Sequence, residues 1–101
     1  MTLDEITRQE ARLIILKALV EQAGYSASDA LLEPVLETYG IKRGRAFVTG
    51  ELSHLAEMGT VILTVVGNTT IATLTRRGRD HVERRVILAG IKRPSPDEVM
   101  G

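Results

Sequence analysis

A chain of 101 residues is one domain's worth, and 44% hydrophobic content supplies a core and argues against wholesale disorder. There is no cysteine, which excludes disulfide frameworks, thiolate metal sites and thiol nucleophiles. The formal net charge is zero, but it is a cancellation: residues 1–40 carry −4, residues 41–93 carry +6 and residues 94–101 carry −2.

The opening Thr2-Leu3-Asp4-Glu5 has the spacing of a capping box. Ile6, Leu13, Leu16 and Val20 then recur at helical intervals, and Ala11, Ile15, Ala18 and Leu19 widen the stripe. Such breadth predicts a first helix buried on more than one side, by the domain core or by a second subunit. Gly24 reads as its stop, and Tyr25-Ser26-Ala27-Ser28-Asp29 as a turn with two candidate N-caps. A second helix is predicted from Ser28 to Tyr39, with Leu31, Leu32, Val35 and Leu36 inward. Pro34 falls too far in for a favoured first-turn position, so the helix either starts late or kinks there.

Ile41-Lys42-Arg43-Gly44-Arg45 is a short basic connector to a third helix, predicted over Arg45 to Met58. Val48, Leu52 and Leu55 form its apolar stripe, and Arg45, Ala46, Thr49, Gly50, Ser53 and Glu57 its opposite face. That face is small or polar and would let the backbone approach another surface. Gly50 costs roughly 1 kcal/mol against alanine in a helix interior, so it needs a reason, either close packing in the chain or an external contact.

The period then changes. Thr60 to Val66 is β-branched, Gly67-Asn68 is a two-residue hairpin signal, and Thr69 to Leu74 returns as a second strand. Thr75 is a candidate cap for a last helix predicted to reach Leu88, with Val82, Val86 and Ala89 at helical spacing. The domain is therefore residues 1–90, followed by a Pro-containing tail, 91–101, expected to be extended or disordered.

The order α-α-α-β-β-α is that of a winged helix-turn-helix: mainly α, with a β-hairpin wing. In such a unit the third helix enters the major groove and the hairpin touches the backbone or minor groove. Lys42, Arg43 and Arg45 stand where phosphates would flank the third helix, and Thr49 and Ser53 on its outward face. Asn68 is at the wing tip, where Asn and Gly both tolerate positive φ, with a minor-groove contact as its second use. Arg76, Arg77 and Arg79 follow the wing, as phosphate clamps or as ion-pair partners of Asp80 and Glu83.

Leu52-Ser53-His54-Leu55-Ala56-Glu57-Met58-Gly59, a hairpin, and Leu74-Thr75-Arg76-Arg77-Gly78 resemble the winged-helix regulator pattern, L-x-x-L-x-x-x-G followed by Leu-Thr-x-x-Gly. Over about residues 2–96, including the Lys-Arg-Pro-Ser-Pro tail, the chain resembles short ArsR-like proteins of Mu-like phages and prophages. The resemblance implies a cytoplasmic, DNA-binding transcriptional regulator. The metal-sensing cysteines of many ArsR-type repressors are absent, so metal sensing does not carry over.

Other chemistry has little footing. His54 and His81 lie on different helices, with no spacing that brings them to one metal ion, so no metal or cofactor is expected. Ser53 and His54 are neighbours that a helix points about 100° apart, and no phosphate-binding glycine motif is present, so no enzyme is expected. Leu13 to Val20, broken by Lys17, is too short to span a bilayer, and the first residues lack a signal peptide's basic and apolar regions. The expected partners are double-stranded DNA and a second copy, the latter through the first and last helices. A protein-interaction module acting on a host or phage protein is the alternative. The scarcity of aromatic residues argues against single-stranded nucleic acid.

Overall fold

In the computed structural model, which describes residues 1–96, Thr2 caps helix α1 (Leu3–Val20), its hydroxyl accepting the Glu5 N–H at 3.1 Å. Most of the wide apolar stripe is consumed within the chain. Ala11, Leu13 to Leu16 and Leu19 are all buried, against the three later helices and the sheet. Most of the apolar excess on this helix is therefore core, while Leu3 and Ile6 at its start stay exposed.

After α1 comes a single 3₁₀ turn, Ala23–Tyr25, in which Gly24 takes φ 66° and Tyr25 φ 57°. Ser26–Ser28 then forms a short strand, β1, where the sequence suggested only a turn. It pairs antiparallel with a later strand, which supplies the hydrogen bonds its own residues do not advertise. Ser28 caps α2 (Asp29–Thr38), accepting from the Leu31 N–H. Pro34 lies inside α2, so the helix does not start late. Leu32 and Leu36 face inward, whereas Leu31 is exposed.

Gly44, at φ 86°, precedes α3 (Arg45–Glu57), whose Val48, Leu52 and Leu55 are buried as their spacing predicts. The buried Thr60 binds the Leu55 carbonyl through both its N–H and its hydroxyl, turning the chain into β2 (Val61–Val66). The loop to β3 (Thr69–Leu74) has positive φ at Gly67 (59°) but not at Asn68, the pattern of a type II′ turn. Asn68 thus has no conformational requirement of the kind its type suggested. The sheet order is β1-β3-β2, all antiparallel, with Ala27 opposite Ala72 and Leu63 opposite Ala72 from the other side. The described residues thus form four α-helices and a three-stranded sheet, with an element order compatible with a helix and adjacent hairpin.

The last helix, α4 (Arg76–Val82), stops six residues short of the expected Leu88. Arg84 takes φ 64°, and the N–H groups of Arg85 and Val86 return to the Asp80 carbonyl. His81 explains the fold-back. Its ring is fully buried, Nδ1 accepts the Leu88 N–H at 3.2 Å, and Nε2 lies 3.0 Å from the Lys92 carbonyl. An imidazole accepting at Nδ1 carries its proton on Nε2, which therefore donates to that carbonyl. Leu88 and Ile91 are buried, and the Lys92 N–H donates to the Gln9 carbonyl, so the start of the tail is held against α1. The remainder of the predicted tail, 97–101, lies outside the described residues.

The Leu-Thr-x-x-Gly segment has a structural cause. Thr75 accepts the Gly78 N–H at 3.2 Å and donates its hydroxyl proton to the Gly59 carbonyl at 2.6 Å. A Cβ on Gly78 would lie 2.4 Å from the Thr60 carbonyl oxygen and 2.7 Å from Leu74 Cδ1. The Thr60 oxygen cannot move, because it accepts the Thr75 N–H. A Cβ on Gly50, by contrast, would meet nothing within 4 Å, so packing inside the chain does not account for that glycine. Opposite signs follow for two alanine substitutions, read by urea denaturation. Gly78→Ala should lose about 3 kcal/mol, and Gly50→Ala should gain about 1 kcal/mol.

Candidate nucleic-acid interface

The apolar stripe of Val48, Leu52 and Leu55 orients α3, and Glu51 fixes that rotation further. Glu51 falls on the same buried stripe, is 2% exposed, and receives Arg8 Nη1 at 2.7 Å and Arg12 Nε at 2.6 Å. Arg8 and Arg12 are one turn apart and so share a face of α1. With Glu51 inward, Ala46, Gly50, Ser53 and Glu57 are exposed. Thr49, half-buried, spends its hydroxyl proton on the Ala46 carbonyl at 3.0 Å, whereas Ser53 stands free in solvent.

The cations divide between free and engaged. Lys42 and Arg76 are exposed and, among the described residues, form no ion pair. Arg43 lies 4.6 Å above the Phe47 ring and donates to Asp4 at 3.1 Å. Arg8 approaches the same ring at 5.2 Å and also binds Asp4, so Asp4, Arg8, Arg43 and Glu51 form one network over Phe47. Arg45 donates to Asp29 at 2.9 Å. Arg77 donates from Nε to the Met58 carbonyl at 2.9 Å, which places a cation at the C-terminal end of α3. Lys42, Arg43 and Arg45 lie at the other end, roughly 20 Å away along a helix of this length.

Arg76 and Arg79 turn elsewhere. They line an open cleft of about 530 Å³ with Tyr25, Leu74, Thr75, Asp80 and Arg85. Arg79 stacks over Tyr25 at 5.3 Å and pairs with Glu83 at 3.2 Å; Arg85 pairs with Asp80 and Glu83. The three post-hairpin arginines therefore do not form one row, and Arg77 is the one hydrogen-bonded to the end of α3. The hairpin brings no cation at all. Residues 60–75 contain no Asp, Glu, Lys, Arg or His, and Asn68 is an exposed amide at the tip. Among the described residues no group of three His, Cys, Asp or Glu side chains is placed to hold a metal ion. None of these residues' helices is long and apolar enough to cross a membrane.

Sequence reasoning missed the carboxylates that organise this region. Glu51 had a signal, an acid on an apolar stripe with two arginines one turn apart on another helix. Asp29, 1% exposed, had none beyond its place at a helix start. It accepts from the Ala30 N–H, from the Thr70 N–H and from Arg45. Arg45, followed by these N–H groups, outweighs desolvation and holds the Asp29 carboxyl below its usual range, and Arg8 with Arg43 does the same for Asp4. A carboxylate with a lowered folded-state pKa stabilises the fold above its unfolded value of about 4, and that contribution is lost as pH falls below it. Thermal melts of Arg45→Ala should show Tm lowered by several degrees at pH 7, with the gap from wild type narrowing below pH 4 as Asp29 becomes protonated.

The chain is similar to gp26, an uncharacterized protein of Escherichia phage Mu, with 34% identity over 94 residues that span 93% of this chain and 97% of gp26. It is 32% identical over 78 residues to an uncharacterized protein of Haemophilus influenzae, covering 76% of each. No protein-family model and no solved structure matches it. With nearly the full length of both chains aligned at that identity, the protein belongs to the family of the phage Mu protein gp26.

Proposed function

We propose that this member of a Mu-like phage family is a winged-helix protein that binds duplex DNA through α3, acting in transcription control in the cytoplasm of the bacterial host. The observation that carries the reading is the outward face of α3. Ala46, Gly50 and Ser53 are exposed, the backbone at Gly50 is open, and cations stand at both ends of the helix. A helix with small and hydroxyl groups outward fits a major groove ~12 Å wide, and cations beyond its ends meet the phosphates on either side. Glu57, an exposed carboxylate in the last turn, confines the base contact to the N-terminal part of the helix, the part that reads base edges in helix-turn-helix proteins.

The proposal assigns the hairpin a smaller part than its position suggests. Without a charged side chain it cannot neutralise phosphate, and Asn68 is its one side-chain amide. That absence favours the second reading, a protein-interaction module on the same fold that contacts a host or phage protein. Arg43 and Arg45 are poor probes for separating the two, because Arg45→Ala leaves Asp29 buried without its cation. Lys42 and Arg77 are better, since among the described residues neither is paired to a carboxylate.

Titration of random duplex DNA at low and moderate salt tests the reading. Wild type should bind with affinity that falls steeply with salt. Lys42→Ala with Arg77→Ala should weaken binding uniformly across sequences and reduce the log–log salt slope by about 2. Ser53→Glu should remove binding without loss of fold. An absence of binding at low salt would favour the protein-interaction reading instead, and binding indifferent to these changes would overturn the assignment of the contact to α3.

A further inference from the structure

Sheets are ordinarily protected at their edges by charge, proline, a bulge or a covering element, because a row of unpaired N–H and C=O groups templates another strand. One edge here, β1, is three residues long. The other, β2, is six residues long, carries neither charge nor proline, and pairs with β3 in unbroken register. The turn fixes which way its backbone points. A two-residue loop makes Val66 and Thr69 a hydrogen-bonded pair, and alternation then turns Thr64 and Ile62 toward β3. The Thr75 N–H to Thr60 carbonyl bond at 3.0 Å continues the same alternation. The backbone groups of Val61, Leu63 and Val65 therefore face outward, and among the described residues no turn, loop or cap bond reaches them. Beside them, the side chains of Ile62, Val65 and Val66 are 63%, 69% and 60% exposed.

We propose that β2 pairs antiparallel with β2 of a second copy, joining two three-stranded sheets into one of six strands. The occupant follows from the strand's chemistry. Outward-facing backbone must meet outward-facing backbone, so odd-numbered positions pair with odd-numbered positions. The register of greatest overlap sets Leu63 against Leu63 of the second copy and Val61 against its Val65, giving three hydrogen-bonded residue pairs. It covers Val65 with an apolar neighbour and lays Ile62 beside Thr64 of the second copy. An uncharged strand meets its own copy without repulsion, whereas the same lack of charge gives DNA phosphates nothing to hold. The two-fold axis is perpendicular to the sheet, so both copies of α3 lie on one face of the joined sheet. This pairing rests on the strand edge and stands apart from the DNA reading.

Three residue pairs make a short seam, so the dimer should be weak and concentration-dependent. Sedimentation velocity of the full chain, from low to several hundred micromolar, should pass from monomer to dimer. Ile62→Lys with Val65→Lys alters two exposed side chains and should remain monomeric with an unchanged circular dichroism spectrum. The chain has no cysteine, so Leu63→Cys gives a clean reporter. The facing Cα atoms of a hydrogen-bonded pair are about 5.5 Å apart, within disulfide reach, and mild oxidation should link two copies. Ala30→Cys, exposed on α2, should not link. A wild type that stays monomeric throughout, a dimer that survives the two lysines, or equal linking through Ala30→Cys would overturn the proposal.

Discussion

A buried carboxylate in the α1–α3 contact locks the facing that the apolar stripe gives the third helix. An ionised group in a protein interior costs several kcal/mol unless it is paired and hydrogen-bonded. Glu51 is 2% exposed and meets that demand only where Arg8 and Arg12 reach it from one face of α1. Rotating α3 by one residue, about 100°, would leave the carboxylate unpaired and put Gly50 inward. The pair is thus an orienting device more than a source of stability, since buried ion pairs often do no better than well-packed apolar residues. Everything proposed for the outward face, from Ala46 to Ser53, follows from that rotation.

The charge asymmetry between the two halves of the chain has a related explanation. Acids of the first forty residues meet bases of the rest across packed elements: Asp4 with Arg43, Asp29 with Arg45, Glu10 with Lys92. Much of the basic excess after residue 41 is therefore neutralised inside the molecule rather than displayed as a uniform face. What is left is local. Lys42 stands before α3, Arg77 beyond its last turn and Arg76 in the cleft beside Tyr25, so attraction for phosphate is available at both helix ends and in that cleft and is absent from the hairpin. The molecule presents two surfaces of different chemistry, a polar helix bracketed by cations and an uncharged strand edge.

The elements carried by periodicity were legible before any coordinates. The stripes of α1 and α3, the cap at Thr2 and the Gly67-Asn68 turn depend on neighbours three, four or two residues away, and they fall as expected. β1 was not legible, because Ser26-Ala27-Ser28 has no alternation and exists through pairing with Thr73, Ala72 and Ile71. The end of α4 was not legible for a similar reason. Val82, Val86 and Ala89 have helical spacing, but His81 draws Leu88 and Lys92 back onto the ring. At the candidate site, the outward placement of Ser53 and Gly50 could be read from the stripe opposite them. The pairing of Arg43 with Asp4, 39 residues away, could not, since it depends on how α1 packs beside the connector.

Backbone amide shift mapping by NMR, with a short duplex added at low salt, tests the account most directly. It predicts perturbations at Lys42, Ala46, Gly50, Ser53 and Arg77, with β2 unmoved. Perturbations confined to the hairpin, or none at any duplex concentration, would contradict it.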